Sequence, residues 1–393
     1  MTNTATFSRA FALFALLLIW TTRIHAQTDS ANSNRIVVFA PLYLDSAYDA
    51  TGNYKFGKSL PKFLNAGIEF YQGIQLAIDS LQKKNAKLDI HIIDTKSKTK
   101  LETLLQKDEV KKATLYLGHV NVNEAAILAK AANSLSIPFI NLNLPNDAGV
   151  KNNTNYFVMN PTLGTHCAGI YKYLQKSYAL STILYFRKKG ATDDRLRSMF
   201  AEVERSTASV PLKVKYITLD DSVSAEQLSN YLDSSKNNVC LIASLDNNFS
   251  TELCKKFAIL SKSYPSTLVG MPTWEQIDFS KSVYRGVEIV YSSQLYINPD
   301  NRLVSTIQKH FKSKYFTRAG DLVFSAFEAL FHFGQQVSEP RTAPLALAKR
   351  SNTLFGEIDI QPVLNKQSGA VEYYENKKLY FIKKQDGSVK GVY

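Results

Sequence analysis

The chain has 393 residues, 45% of them hydrophobic and 21% charged, with a formal charge of +13. That length suggests two or three domains of roughly 150 residues each. The composition is ordinary for a globular protein, with material for two cores, and excludes low-complexity or like-charge blocks.

At the start, Arg9 supplies a positive n-region and Ala10–Trp20 an apolar run, too short for the ~20 residues of a membrane span. Ala26 is the expected last residue of a cleaved signal peptide (residues 1–26), making the mature chain an exported, periplasmic protein without a transmembrane span. An uncleaved anchor is the alternative. No cysteine follows the run, so lipid attachment is not expected. Removing Arg9 and Arg23 with the peptide leaves a charge of +11. Its lysines fall as scattered pairs such as Lys83-Lys84 and Lys255-Lys256, which reads as solvated helix ends. An acidic partner is the alternative. Basic residues interleaved with aromatics are missing, so no nucleic-acid partner is expected. Cys167, Cys240 and Cys254 are an odd number, so a complete disulfide framework is excluded. Buried free thiols are expected, with a Cys240–Cys254 bridge as the alternative.

Taken in order, Arg35–Leu44 is a continuous β-branched and apolar run, expected to be a strand buried on both faces. An aromatic loop with Tyr48, Tyr54, Phe56 and Phe63 follows. Ala66–Leu81 has a helical stripe of Tyr71, Ile74, Ile78 and Leu81. Leu88–Asp94 is a strand, Thr99–Lys111 a charged helix and Thr114–Gly118 a strand. Asn121 or Asn123 caps a helix with Ala125, Leu128, Ala129, Ala132 and Leu135 as its inward stripe. Ile137–Leu142 is a fourth strand. Tyr156–Val158, a break at Asn160-Pro161 and a helix opening at Thr162 read as a crossover to a second lobe.

There the pattern restarts. Strands are expected at 181–186, 212–219, 238–245, 267–271 and 286–291, and helices at 192–206, 224–234 and 250–262. Asn301–Val337 is helical without strands of its own, so the chain is expected back on the first lobe. A short helix at Ala343–Arg350 and antiparallel strands from Leu354 to Tyr393 close the chain. Strands alternating with helices imply parallel pairing and right-handed crossovers. The expected fold class is α/β, with two Rossmann-like lobes of mostly parallel sheet joined by a three-segment hinge. Lobe 1 comprises 35–158 plus 297–350, and lobe 2 comprises 159–296 plus 351–393. The hinge segments are expected at Tyr156–Leu174, Tyr291–Pro299 and Ser351–Asp359.

This layout resembles the type I periplasmic-binding-protein family, the branched-chain amino-acid binding proteins of ABC transporters and related receptor domains. The resemblance rests on RIVVFAPLYL, GIEFYQGIQLAID, GHVNVNEA, IPFINLN, YFVMNPT, GDLVFSAFEAL and GAVEYYENKKLYFI, and covers about Arg35 to Tyr393. It implies a hinged clamp, not an enzyme, that closes on a small-molecule ligand and delivers it to an inner-membrane ABC permease. The alternative is a receptor-like or envelope module reading a cell-wall or protein partner. On the family's pattern, the ligand loops are those of His119, Asn121, Asn141 and Asn143 in lobe 1. In lobe 2, Tyr185 and Arg187 stand at the aromatic position and Asp246 and Asn247 at the acidic one. The small hydroxyl residues usual in amino-acid binders are missing from these loops. Tyr43 and Trp274 are candidates for the cleft walls.

Each has a structural alternative. Asn141, Asn143 and Asn247 could cap turns, Asp246 could cap the following helix, and Tyr43 and Trp274 could pack in the core. His119 has no second ligand at useful spacing, so no metal is expected. A nucleophile elbow, phosphate loop, CxxC, HExxH and dinucleotide fingerprint are all absent from the sequence. No catalytic residues and no cofactor are therefore expected.

Overall fold

In the computed structural model, residues 34–208, 210–338 and 347–392 are described. The expected signal peptide and the first half of the expected helix at 343–350 lie outside them, and residues 347–350 do not form the α-helix expected there.

The first strand, β1 (Arg35–Ala40), shows how the fold is built. Ile36, Val38 and Ala40 enter one core while Val37 and Phe39 enter another. A strand whose neighbours all point into apolar layers must be central, with helices on both faces. After β1 come α1 (Lys62–Lys83), β2 (Asp89–Asp94), β3 (Leu115–Gly118), α2 (Val122–Leu135), β4 (Phe139–Asn141) and β5 (Tyr156–Val158). Then α3 (Leu163–Tyr178) leads into β6 (Thr182–Lys188), α4 (Ala191–Ser206), β7 (Lys213–Leu219), β8 (Asn238–Ile242), α5 (Asn247–Leu260), β9 (Ser266–Gly270) and β10 (Glu288–Ser293). Parallel strands run in the order β2-β1-β3-β4-β5 in one sheet and β7-β6-β8-β9-β10 in the other. The two halves thus share one doubly wound order.

The chain then returns to the first lobe as α6 (Arg302–Tyr315) and α7 (Asp321–Ser338). Val304, Ile307, Phe311, Phe324 and Phe327 join the core of Phe70, Ile74 and Leu81 on α1. The helices α1 and α7 cross at Gly73, where a Cβ would meet the Val323 carbonyl oxygen at 2.3 Å. Only glycine allows that approach.

Two expected helices are shorter than expected. Thr99–Lys111 forms two single turns, Leu101–Leu104 and Asp108–Lys111, and 224–234 forms only Ala225–Ser229. Leu135, expected on the inward stripe of α2, is exposed at the end of that helix. Cys167, Cys240 and Cys254 are buried free thiols.

A larger difference is the third crossing. Strands β11 (Arg350–Asn352), β12 (Glu357–Leu364) and β13 (Val371–Asn376) extend the first sheet, where β13 pairs parallel with β5. Only β14 (Tyr380–Gln385) and β15 (Ser388–Val392) reach the second sheet, on the far side of β10. The third connection therefore runs through 376–380, and the expected segment Ser351–Asp359 belongs to lobe 1. Without these strands β5 and β10 would each present an open edge, which must be covered. The sequence of an amphipathic hairpin does not say which edge it takes.

One carboxylate organises the turn after β1. Asp94, buried at the end of β2, accepts from the backbone N–H groups of Leu42, Tyr43, Leu44 and Lys96 at 2.8–3.1 Å. Tyr43 is held there at φ 56°. Asp94→Ala leaves these donors without their acceptor, and we expect a loss of roughly 2–3 kcal/mol in a urea melt. A loss below ~0.5 kcal/mol would show that water replaces the carboxylate.

Candidate functional site

All three connections leave from the same kind of place. β5 ends at Val158 and α3 begins at Leu163, while β10 ends at Ser293 and α6 begins at Arg302. β13 ends at Asn376 beside β5, and β14 enters opposite the end of β10, with Tyr380 paired to Ser293. Every crossing thus leaves from the carboxyl end of a strand, and β14 enters beside the carboxyl end of β10, so the carboxyl edges of the two sheets are turned toward each other. In a doubly wound sheet the crevice opens where strand order reverses. Those points are β1/β3 in lobe 1 and β6/β8 in lobe 2.

The hinge is tied by side chains. Buried Glu375 accepts from the Thr162 N–H at 2.7 Å and the Thr165 hydroxyl at 2.6 Å. The Thr162 hydroxyl caps α3, which opens where the sequence placed it. Asn376 donates to the Met159 carbonyl at 3.2 Å. Where the segments converge, Leu142, Met159, Gln294, Glu328, His332 and Tyr380 line a small cavity of about 70 Å³.

At the lobe 1 edge, most expected site residues are occupied with structure. Asn121 caps α2 in a reciprocal box with Glu124. Asn141 is fully buried, donates to the Tyr156 hydroxyl at 2.9 Å and accepts from the N–H of Asn143 and Leu144. Asn143 braces the loop after β3, accepting from the Val120 N–H at 2.8 Å and donating to its carbonyl at 2.9 Å. Tyr43 packs edge-on against Phe63. His119 differs. Its ring lies on Phe70, 5.2 Å between centroids, and its buried Nδ1 has no hydrogen-bond partner. Burial lowers its pKa to about 4, so the imidazole is neutral at pH 7.

At the lobe 2 edge, two expected contacts are corrected. Tyr185 is 1% exposed and packs on Phe200 and Tyr216 in the core under α3 and α4. Trp274 is fully buried beside Phe279 in the opposite core. Strand alternation explains the first, since Ile183, Tyr185 and Arg187 share a face and that face is covered by helices. Arg187 is likewise buried and ion-paired to Asp194 of α4 at 2.6 Å.

The edge residue is instead Lys188. It pairs with Asp246 at 2.9 Å and Asp221 at 3.0 Å. Recesses of about 420 Å³, over the start of α4, and about 320 Å³, toward α5, flank it. Sequence reading missed Lys188, the last residue of β6, because the expected strand stopped at Phe186. Asp246 is the cap of α5, accepting from the Asn248 and Phe249 N–H groups. Hydrogen bonding to Lys188, then to Phe249, holds its carboxyl below the usual range. Asn247 donates to the Thr273 carbonyl at 3.1 Å. The Asn247 Oδ1 and the Thr273 Oγ1 are both buried without partners.

Asp246→Ala should therefore cost about 1–2 kcal/mol through the lost cap, most of it already visible in the apo melting curve. Unchanged apo stability would show that the cap is dispensable.

No family model matches the chain, and no curated protein matches it. Solved structures do. A Rhodospirillum rubrum protein described as a branched-chain amino acid ABC transporter superposes with a TM-score of 0.65 at 9% identity, covering 91% of this chain and 99% of that one. A Desulfitobacterium hafniense ABC transporter substrate-binding protein in complex with Leu gives 0.54 at 12% identity, covering 91% and 99%. Haemophilus influenzae LpoA gives 0.56 at 12% identity, covering 93% of this chain but only 60% of that chain. The protein has the type I periplasmic-binding-protein fold, two Rossmann-like lobes of mostly parallel sheet. Its neighbours of that fold include ABC transporter substrate-binding proteins.

Proposed function

We propose that this is an exported, non-enzymatic solute-binding protein that closes its lobes on a small polar ligand and delivers it to an inner-membrane ABC permease. The observation that carries the reading is that, among the described residues, buried polar atoms without partners gather at carboxyl strand ends. They include His119 Nδ1 after β3, Asn247 Oδ1 after β8 and Thr273 Oγ1 after β9, and Thr95 Oγ1 after β2 is another. A buried polar atom left unpaired is costly, and a ligand that pairs with it removes that cost. The neutral imidazole and these oxygens suit a ligand with hydroxyl, amide or ammonium donors. The substrate-binding proteins among the structural neighbours support the transport role.

A thermal-shift screen of amino acids, small peptides, amides and sugars tests it. A ligand at 100 times its Kd adds about 2.7 kcal/mol to the folded state. His119→Ala and Thr273→Val should erase the shift of any hit while leaving the apo transition in place. No shift from any small solute at millimolar concentration would overturn the reading.

A second reading, an envelope module that grips a cell-wall or protein partner, is favoured by an aromatic ladder. Tyr48, Tyr54, Phe56, Phe63 and Tyr43 follow one another with centroids 5.2–6.0 Å apart. Tyr48 and Phe63 are exposed by 43% and 44%. Retention on peptidoglycan, lost in Tyr48→Ala with Phe63→Ala, would decide for it.

A further inference from the structure

The turn that joins α6 to α7 displays an aromatic ring to solvent at a backbone position that disfavours it. Phe316 is the C-cap of α6, at φ 55°, and is 90% exposed. A left-handed C-cap is the place where glycine or asparagine fits at least cost. The turn also leaves a phenyl ring in water. Neither choice helps the fold, so the ring has a destination outside it.

The charge around it is of one sign. From Asn301 to Gly320 the chain carries Arg302, Lys309, Lys312, Lys314 and Arg318 and no acid. All five are exposed, and among the described residues none of them makes an ion pair. Tyr315, exposed by 37%, stands beside Phe316, with the Lys314 ammonium 5.2 Å from its ring. Gln308 clasps the far side of the turn, donating to the Ala319 carbonyl at 2.9 Å and accepting from its N–H at 3.0 Å. The nearest acids sit at its foot. A Cβ on Gly320 would meet the Glu69 carboxylate at 2.8 Å, and Asp321 opens α7.

We propose that the Lys309–Arg318 turn is an interfacial anchor that docks on an anionic phospholipid surface, with the cations at the headgroups and Phe316 inserted between acyl chains. The pairing of exposed cations with a protruding ring is what such a surface complements. A soluble polyanion would satisfy the cations equally well but offers the ring no apolar environment, so the phenyl at the cap favours the bilayer. α7 runs parallel to α1, with Gly320 by Glu69, Gly73 by Val323 and Gly334 by Leu81. α1 in turn starts from the carboxyl side of β1. The anchor therefore lies on the side of lobe 1 that faces the cleft, and docking would hold the cleft mouth near the membrane. This proposal does not depend on which solute the cleft takes.

The test is flotation of the mature chain with vesicles of phosphatidylglycerol and phosphatidylcholine, against pure phosphatidylcholine. Binding to the anionic vesicles only, weakening with salt, is expected. Phe316→Gly should keep or raise the melting temperature, because glycine suits the cap, yet weaken vesicle binding by at least about tenfold. Lys312→Gln with Lys314→Gln should weaken it by about tenfold as well. Absence of wild-type flotation would overturn the proposal. So would flotation that Phe316→Gly leaves unchanged, or dextran sulfate binding of equal strength in wild type and Phe316→Gly alongside no flotation, which would assign the patch to a polymer.

Discussion

Trp274→Ala will cost about 3–5 kcal/mol of stability, the usual result of emptying a buried indole site. The ring is fully buried and lies against Phe279, 5.3 Å between centroids. It also covers Gly270 so closely that a Cβ there would meet the indole at 2.0–2.3 Å. The core of lobe 2 is built around that contact, so the vacated volume has no neighbour free to collapse into it. The measurement is a urea melt of apo protein. A cleft wall would behave differently, leaving the apo midpoint in place and weakening only a ligand's stabilisation. An unchanged apo midpoint would contradict the core placement.

Acid will destabilise the protein between about pH 6.5 and 4, through histidines buried neutral. His166 sits on α3, 4% exposed, with Nδ1 2.8 Å from the Ser292 hydroxyl. Burial lowers its pKa to about 4, with Glu375 opposing, and burial does the same to His119 and His332. The sign follows from the order of protonation. As pH falls, the unfolded chain takes up protons first, near 6.5, so the folded state loses stability until its own histidines titrate. Each unit corresponds to 1.36 kcal/mol, so His166 alone contributes a few kcal/mol over the window. Glu328 works in the opposite direction, since burial raises its pKa and protonation then favours the folded state. The difference between wild type and His166→Gln separates the two. Glutamine keeps a partner for Ser292, and its variant should lose less stability than wild type on going from pH 7 to 4.5. Parallel pH profiles would show that His166 is solvated in the folded state.

The lobes, the crossover at Tyr156–Val158 and the return of α6 and α7 were legible because each rests on local pattern. The start of α3 at Thr162 was readable from its place after Asn160-Pro161. The candidate site was far less legible. Asn121, Asn141, Asn143 and Asp246 carry chemistry equally suited to a ligand and to a backbone, and here each binds its own loop or helix end. Asp246 was named in advance both as a site residue and as a cap, and its side chain holds the first N–H groups of α5. His119 and Asn247 came through with an atom to spare. Lys188 had no pattern to mark it, because a strand's last residue is defined by where its neighbours end, and Thr273 lies in a single turn after β9.

The sequence by itself determined the alternation of strands and helices, the division into two mostly parallel lobes and two of the three crossings. Hydrophobic periodicity and turn residues act over a few positions, so they can be read along the chain. Only the tertiary structure decided that β11–β13 cover β5 while β14 and β15 cover β10. It alone put Tyr185 and Trp274 inside, left His119, Asn247 and Thr273 with unused atoms and exposed Phe316. Open edges, orphaned polar atoms and solvent-facing rings are properties of what lies opposite a residue in space, and that partner is set by packing between segments far apart in the chain.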